Sequence, residues 1–322
     1  MKNYIPTINI SSLLKTNFDN LKAKNTIRKI EKACVEVGFF QVVGHGIDIN
    51  EINNVCKIGN QFFNSPTKNK IKLAPKKWNK KNNNIYRGYF PNSVNGKEGL
   101  DLGDFKIKPH NLKKYKSPYI EYINLKKSLN KSSINYLSKY FDNIFYLSEI
   151  LFKSIISIYK KDLNISGHAF SRYKTLSTLR FNYYPNQTKP VEISKQDGVA
   201  LGCETHVDSG VFTILYQDKK GGLQVQNRRS KKWYDVPFNK NALVVNTGLA
   251  LEYLSRGKFK ATNHRVLWNK TKRLSIPFFF EPSYDFKMSH SFLGNNLKNK
   301  EKGIFFQNFL KKSLKKFIEY QR

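Results

Sequence analysis

A chain of 322 residues with 57 Lys and Arg against 23 Asp and Glu carries a formal net charge of +34. Its 39% hydrophobic content, with 24 Phe and 18 Tyr, is ample for a buried core and excludes a disordered chain. Cys34, Cys56 and Cys203 are odd in number and widely spaced, which excludes a disulfide framework or a Cys-x-x-Cys zinc or redox motif and fits a reducing cytosol. No charged-then-apolar leader and no long apolar run is found, so a cytoplasmic protein without a membrane partner is expected. The charge could mark a nucleic-acid partner. However, the lysines are scattered along the whole chain among abundant Asn, Ile, Phe and Tyr, the signature of an AT-rich genome's codon bias. With no arginine patch or base-stacking motif, no specific nucleic-acid partner is expected, and no partner protein can be inferred.

From the N-terminus, Thr26 to Cys34 carries apolar residues at helical spacing. Gly38 to Ile47 reads as a strand and a turn. His45 stands between Gly44 and Gly46, which marks a tight turn and makes it structural rather than a ligand. A helix through Asn60 to Phe63 is ended by Ser65-Pro66, since proline disfavours helix in the residue before it. Lys76 to Asn84 is a basic, Asn-rich run read as a solvated loop. From Leu125 to Lys161, Leu129, Leu137, Phe141, Ile144, Phe145, Leu147, Leu151 and Ile155 predict one or two amphipathic helices packed on a sheet. Between Ser177 and Tyr284, short β-rich runs alternate with Gly, Pro, Asn and Lys turns. They predict a mainly β fold with flanking helices and a double-sheet jelly-roll core. The tail from Glu301 to Tyr320 is expected to form a capping helix.

Within the β region, His206 and Asp208 lie two apart in Thr205-His206-Val207-Asp208-Ser209-Gly210. On an extended segment both side chains point the same way. Alone, His-x-Asp is a frequent coincidence. His264, at the head of another β-rich run, supplies a third donor, and two histidines with one carboxylate make the facial triad of non-haem Fe(II) oxygenases. Arg273 and Ser275 are again two apart, in Lys272-Arg273-Leu274-Ser275-Ile276-Pro277. A guanidinium and a hydroxyl on one strand face suit a carboxylate, which arginine's fork binds through two charge-assisted bonds.

In these segments the chain resembles the iron(II)- and 2-oxoglutarate-dependent dioxygenases of the isopenicillin N synthase-like superfamily. The resemblance runs through His206-Val207-Asp208-Ser209-Gly210, Thr213 to Asp218, Gly221 to Val225, Asn246-Thr247-Gly248, His264-Arg265-Val266 and the Arg273/Ser275 pair. Tyr4 to Ile10 resembles the family's opening strand. The resemblance implies Fe(2+) held by His206, Asp208 and His264, O2, and 2-oxoglutarate whose far carboxylate meets Arg273 and Ser275. In Leu179 to Pro185, Tyr184 is the residue implied to touch 2-oxoglutarate, with Asn182 nearby. It further implies an N-terminal region at 1–120, a helical segment at 121–170, the jelly roll at 171–285 and a helical cap at 286–322.

Three positions stay open. Arg87, in Tyr86-Arg87-Gly88-Tyr89-Phe90, is either a substrate carboxylate partner or a structural salt bridge. Glu204 alternates with His206 and Asp208, and is either close to the iron or turned to solvent by a bulge. Leu249 stands where relatives often carry Asp, outside the triad. The expected activity is oxidation, foremost hydroxylation, of a small organic molecule with release of succinate and CO2. The rivals are an iron oxidase that dispenses with 2-oxoglutarate, and a basic nucleic-acid-binding protein with an idle triad.

Overall fold

The computed structural model describes residues 4–14, 18–91, 96–159, 167, 169–186, 189–290, 292–293 and 303–320. Strands in chain order are β1 (Thr7–Asn9), β2 (Phe39–Val43), β3 (Gly88–Phe90), β4 (Glu98–Leu102), β5 (Thr178–Tyr184), β6 (Glu192–Ile193), β7 (Ala200–His206) and β8 (Phe212–Gln217). They continue as β9 (Leu223–Gln226), β10 (Trp233–Asp235), β11 (Leu243–Thr247), β12 (His264–Leu267) and β13 (Arg273–Phe280). An eight-stranded sheet takes the order β1-β2-β11-β8-β13-β5-β4-β3, and a five-stranded one the order β10-β9-β12-β7-β6. Apart from the parallel β1/β2 pair, the pairings in both sheets are antiparallel. This is the jelly roll read from the sequence, with β1 to β4 of the N-terminal region joined to the large sheet.

The period of two decides what each strand does. Along β13, Leu274, Ile276, Phe278 and Phe280 are buried in the main core, while Arg273, Ser275, Pro277 and Phe279 line an inner cavity. Along β5, Leu179, Phe181 and Tyr183 enter the core while Thr178, Arg180, Asn182 and Tyr184 face the cavity. The apolar face is covered by helices α1 (Leu21–Glu36), α2 (Ile49–Phe63) and α3 (Lys131–Ile158). Asn20 caps α1, its side chain accepting from Ala23 N at 2.7 Å. Within the Leu125 to Lys161 run, Lys131–Ile158 forms one helix of 28 residues after a short 3-10 turn at Leu125–Lys127, and residues 160 and 161 lie outside the described set. Its Phe141 and Phe145 stack edge-on against Phe278 and Phe280, with centroids 5.1 and 5.4 Å apart.

His45 is buried in its turn and accepts from Ile47 N at 3.2 Å, away from the cavity, as the flanking glycines imply. In the tail, α5 (Phe306–Leu314) follows a short α4 (Leu249–Leu254) in chain order and caps the fold. Glu301 of the expected cap lies outside the described residues. No helix among the described residues is long and apolar enough to cross a membrane.

Candidate metal and co-substrate site

β7 ends at His206, so Asp208 stands in the following turn rather than in the strand, and the two still converge. β12 pairs with β7 so that His264 faces His206, their ring centroids 4.2 Å apart. One donor atom from each of His206, Asp208 and His264 falls within a 4.8 Å group. Asp208 Oδ1 lies 3.7 Å from Nε2 of each histidine.

The remaining polar atoms are held. His206 Nδ1 meets Glu204 O at 2.8 Å and His264 Nδ1 meets Thr262 O at 3.1 Å. An Nδ1–H that donates to a carbonyl leaves Nε2 as the bare lone pair a metal takes. Asp208 Oδ2 accepts from Thr213 Oγ1 at 2.5 Å and Asn246 Nδ2 at 2.8 Å, leaving Oδ1 to the cavity. Burial, then the neighbouring His206, pushes His264 down to about 4, so it is a neutral donor at pH 7. Burial opposes ionisation of Asp208, but His264 and His206 outweigh it and the carboxyl falls below its usual range. Burial pulls His206 down, but Cys203 and Asp208 outweigh it and lift it to about 9, so an iron would displace its proton to take Nε2. Two imidazole nitrogens and one carboxylate suit a divalent iron.

Across β5, β13 and β8 the co-substrate candidates meet in pairs. Arg273 is opposite Tyr184, and Ser275 is opposite Asn182. Arg273 is 3% exposed. Its Nε donates to Gly221 O at 2.8 Å and Nη1 to Ser275 Oγ at 3.1 Å, with the guanidinium 4.8 Å from the Tyr184 ring centre. Gly221 and Gly222, at φ +64° and +83°, make the turn that brings that carbonyl in. Among the described residues no carboxylate pairs with Arg273. Asn182 Oδ1 is buried without a hydrogen-bond partner among the described residues. A buried, unanswered guanidinium beside the triad fits a small dicarboxylate.

Glu204 is partly exposed and lines the cavity. The β7/β12 register slips between Cys203 and His206, so a bulge is present, yet it does not carry Glu204 away. Arg87 stands apart from the cavity. It is fully buried, donating from Nη2 to Leu176 O at 2.7 Å and Ser177 O at 3.1 Å, and does not line the cavity. Among the described residues no carboxylate lies within ion-pair distance of it. Neighbours along an extended segment face opposite ways, and Tyr86 takes the cavity side.

Sequence reasoning missed Arg180, Lys97, Asp101, Cys203 and Glu281, all on the cavity wall. Arg180 was within reach, being two residues before Asn182 on the same face. Asp101 holds it through Nε and Nη2, each at 2.6 Å. The tail also closes over the triad, with the Phe317 ring 6.3 Å from that of His206.

A model of the 2OG-Fe(II) oxygenase superfamily matches residues 175–282, and one of the non-haem dioxygenase in morphine synthesis N-terminal region matches 5–135. A probable iron/ascorbate oxidoreductase of Dictyostelium discoideum is 32% identical over 310 residues, covering 87% of this chain and 82% of that protein. The chain belongs to the 2OG-Fe(II) oxygenase superfamily. Isopenicillin N synthase of Streptomyces griseus is 30% identical, over 87% of this chain and 85% of its own. In fold, this oxygenase is similar to Neurospora crassa T7H solved with alpha-KG and thymine, at TM-score 0.78, 21% identity and coverage of 97% and 96%. It is thus an iron- and 2-oxoglutarate-dependent dioxygenase, using Fe(2+), 2-oxoglutarate and O2 on a small-molecule substrate.

Proposed function

We propose that this dioxygenase hydroxylates a small organic molecule on the inner face of residues 171–285, with the N-terminal, helical and C-terminal segments as its walls. His206, Asp208 and His264 hold the iron through Nε2, Oδ1 and Nε2. Arg273 and Ser275 take the far carboxylate of 2-oxoglutarate, and Tyr184 and Asn182 border its length. When bound, iron, co-substrate and O2 supply a two-electron oxidation of a C–H bond, with the co-substrate leaving as succinate and CO2. The chain's own part is to fix these groups and keep water out. Thr213 and Asn246 hold the carboxylate still, and Phe317 stands edge-on to the His206 ring.

What carries the reading is the buried Arg273 guanidinium, bonded to Ser275 and without a carboxylate partner among the described residues, in the same cavity as the triad. A charged hydrogen bond contributes roughly 1.5–3 kcal/mol, or about ten- to a hundred-fold in affinity. Arg273→Ala is therefore expected to weaken 2-oxoglutarate by at least about ten-fold, and Ser275→Ala by less. Iron affinity should stay the same in both. Anaerobic titration of the Fe(II) protein, following the visible charge-transfer band, measures this. A wild-type protein with no band and no succinate would return the site to the 2-oxoglutarate-independent oxidase.

A further inference from the structure

Most charges on the cavity wall already have an answer. Arg273 serves the co-substrate end, and Arg180 is neutralised by Asp101 and by Glu319 at 3.4 Å. Burial lifts the Glu281 carboxyl to about 8, so it is largely neutral at pH 7. Glu204 is partly exposed, and solvent screens it. Lys97 differs. Its Nζ lies 3.1 Å from Cys203 Sγ, and no carboxylate stands within ion-pair distance of it among the described residues. Burial opposes the charge on Lys97, but Cys203, Tyr184 and, from beyond ion-pair distance, Glu319 outweigh it, so the ammonium persists with no carboxylate in contact among the described residues.

The strand register gives Lys97 its place. Glu98 pairs with Tyr183, so Lys97, one residue back, falls across from Tyr184, which pairs with Arg273. Lys97, Tyr184 and Arg273 form one row over three strands, with the tyrosine between two cations. One cation suits the co-substrate; the other has no carboxylate in contact among the described residues. An outer pocket shares Tyr86, Leu314, Glu319 and Tyr320 with the inner cavity. Lys76, Lys77, Lys311 and Lys315 line it, with Glu319 as its one lining carboxylate among the described residues. Such an approach draws anions inward.

We propose that the molecule oxidised is a small aromatic carboxylate, its anion paired with Lys97 and its ring against Phe279, Phe317 and Leu314. A single ammonium matches a monoanion, and the cavity's apolar wall matches an aromatic body. This deepens the hydroxylase reading and rests on Arg273 and Ser275 holding the co-substrate.

The test titrates the anaerobic Fe(II)–2-oxoglutarate protein with 3-phenylpropanoate and with its primary amide, following the visible band. The acid is expected to bind the wild type at least about ten-fold more tightly than the amide. In Lys97→Met that preference should fall to within about two-fold, with 2-oxoglutarate affinity unchanged, and Lys97→Arg should restore part of it. Equal or absent binding of acid and amide to the wild type, or a preference kept in Lys97→Met, overturns the proposal. So does a loss of 2-oxoglutarate affinity in Lys97→Met, which would put Lys97 on the co-substrate. No co-substrate band in the wild type fails separately: it overturns the Arg273 reading, and this one with it.

Discussion

Each candidate ligand uses one polar atom to fix its direction and keeps another for the cavity, and the atoms that do the fixing come from elsewhere in the fold. Thr213 and Asn246 reach Asp208 from β8 and β11. Glu281 lies deeper in the same wall, 4% exposed, its Oε2 3.5 Å from the Tyr86 hydroxyl. Burial lifts it to about 8, against the pull of Arg87 and Tyr86. A carboxyl raised in the folded state binds protons that the unfolded chain has released. Its stabilising contribution is therefore complete below the ordinary carboxylate range and is lost as pH rises through about 8. The loss is on the order of 1.4 kcal/mol per pH unit at most. Glu281→Gln, which cannot ionise, should lose less stability than wild type between about pH 6 and 9. Urea unfolding across that range measures it, and parallel curves would show that Glu281 ionises freely. Such residues were hard to read in advance. His206, Asp208, Arg273 and Ser275 announce themselves by spacing within one segment. Lys97 and Cys203, or Arg180 and Asp101, become neighbours only once strands pair, and no local pattern links them.

Among the elements, the loop carrying Asp208 is held by backbone more than by side chains. Leu249 N donates to Asp208 O at 2.8 Å, and Ala250 N to Ser209 O and Gly210 O, each at 3.1 Å. The start of α4 thus fastens the metal loop through its own free amides, which is why Leu249 can replace an acidic residue there. The approach is so close that a Cβ on Gly248 would lie 2.2 Å from Gly210 O and 3.1 Å from Asp208 O. Both are backbone atoms and cannot swing aside. Gly248→Ala should cost roughly 1–3 kcal/mol as an overpacked contact. By moving Asp208 it should weaken metal binding by at least about ten-fold. Gly167→Ala, with nothing within 4 Å of its added carbon, is the matched control. Anaerobic Fe(II) titration of the two variants tests this, and equal affinities would mean the loop adapts. At this scale the chain was largely legible: periods of two and 3.6 marked β5, β13 and α3. The cap was legible as a helix but not as a cover for the triad, since its apolar spacing says nothing about which surface it meets. The place of Arg87 was hidden for a related reason. Nothing local in the sequence shows that pairing buries this charged residue against backbone carbonyls.

Over the whole molecule, the charge of +34 leaves most lysines without a carboxylate to answer them. Twenty-three acidic residues face 57 basic ones, and two acids are taken by largely shielded arginines: Asp101 by Arg180, Asp104 by Arg172. The folded state brings like charges closer than the unfolded chain does, so self-repulsion opposes folding. Salt has two opposed effects here. It weakens ion pairs, but those of Arg180 and Arg172 are largely shielded from solvent, with side chains 14% and 19% exposed. Buried pairs are screened much less than surface charges, whose interactions fade beyond a Debye length of about 10 Å at 0.1 M. The repulsion among surface lysines should therefore be relieved first. Raising NaCl from about 0.02 to about 0.3 M, a range that shortens the Debye length several-fold, should raise the thermal midpoint by a few degrees. Calorimetry at fixed pH measures the shift, with sodium chloride preferred to sulfate because sulfate also strengthens apolar burial. A midpoint that falls with salt would mean that surface pairs such as Lys174–Asp285 and Lys258–Glu31 outweigh the repulsion. The positive surface would then be knitted together by its few acids rather than strained by their scarcity.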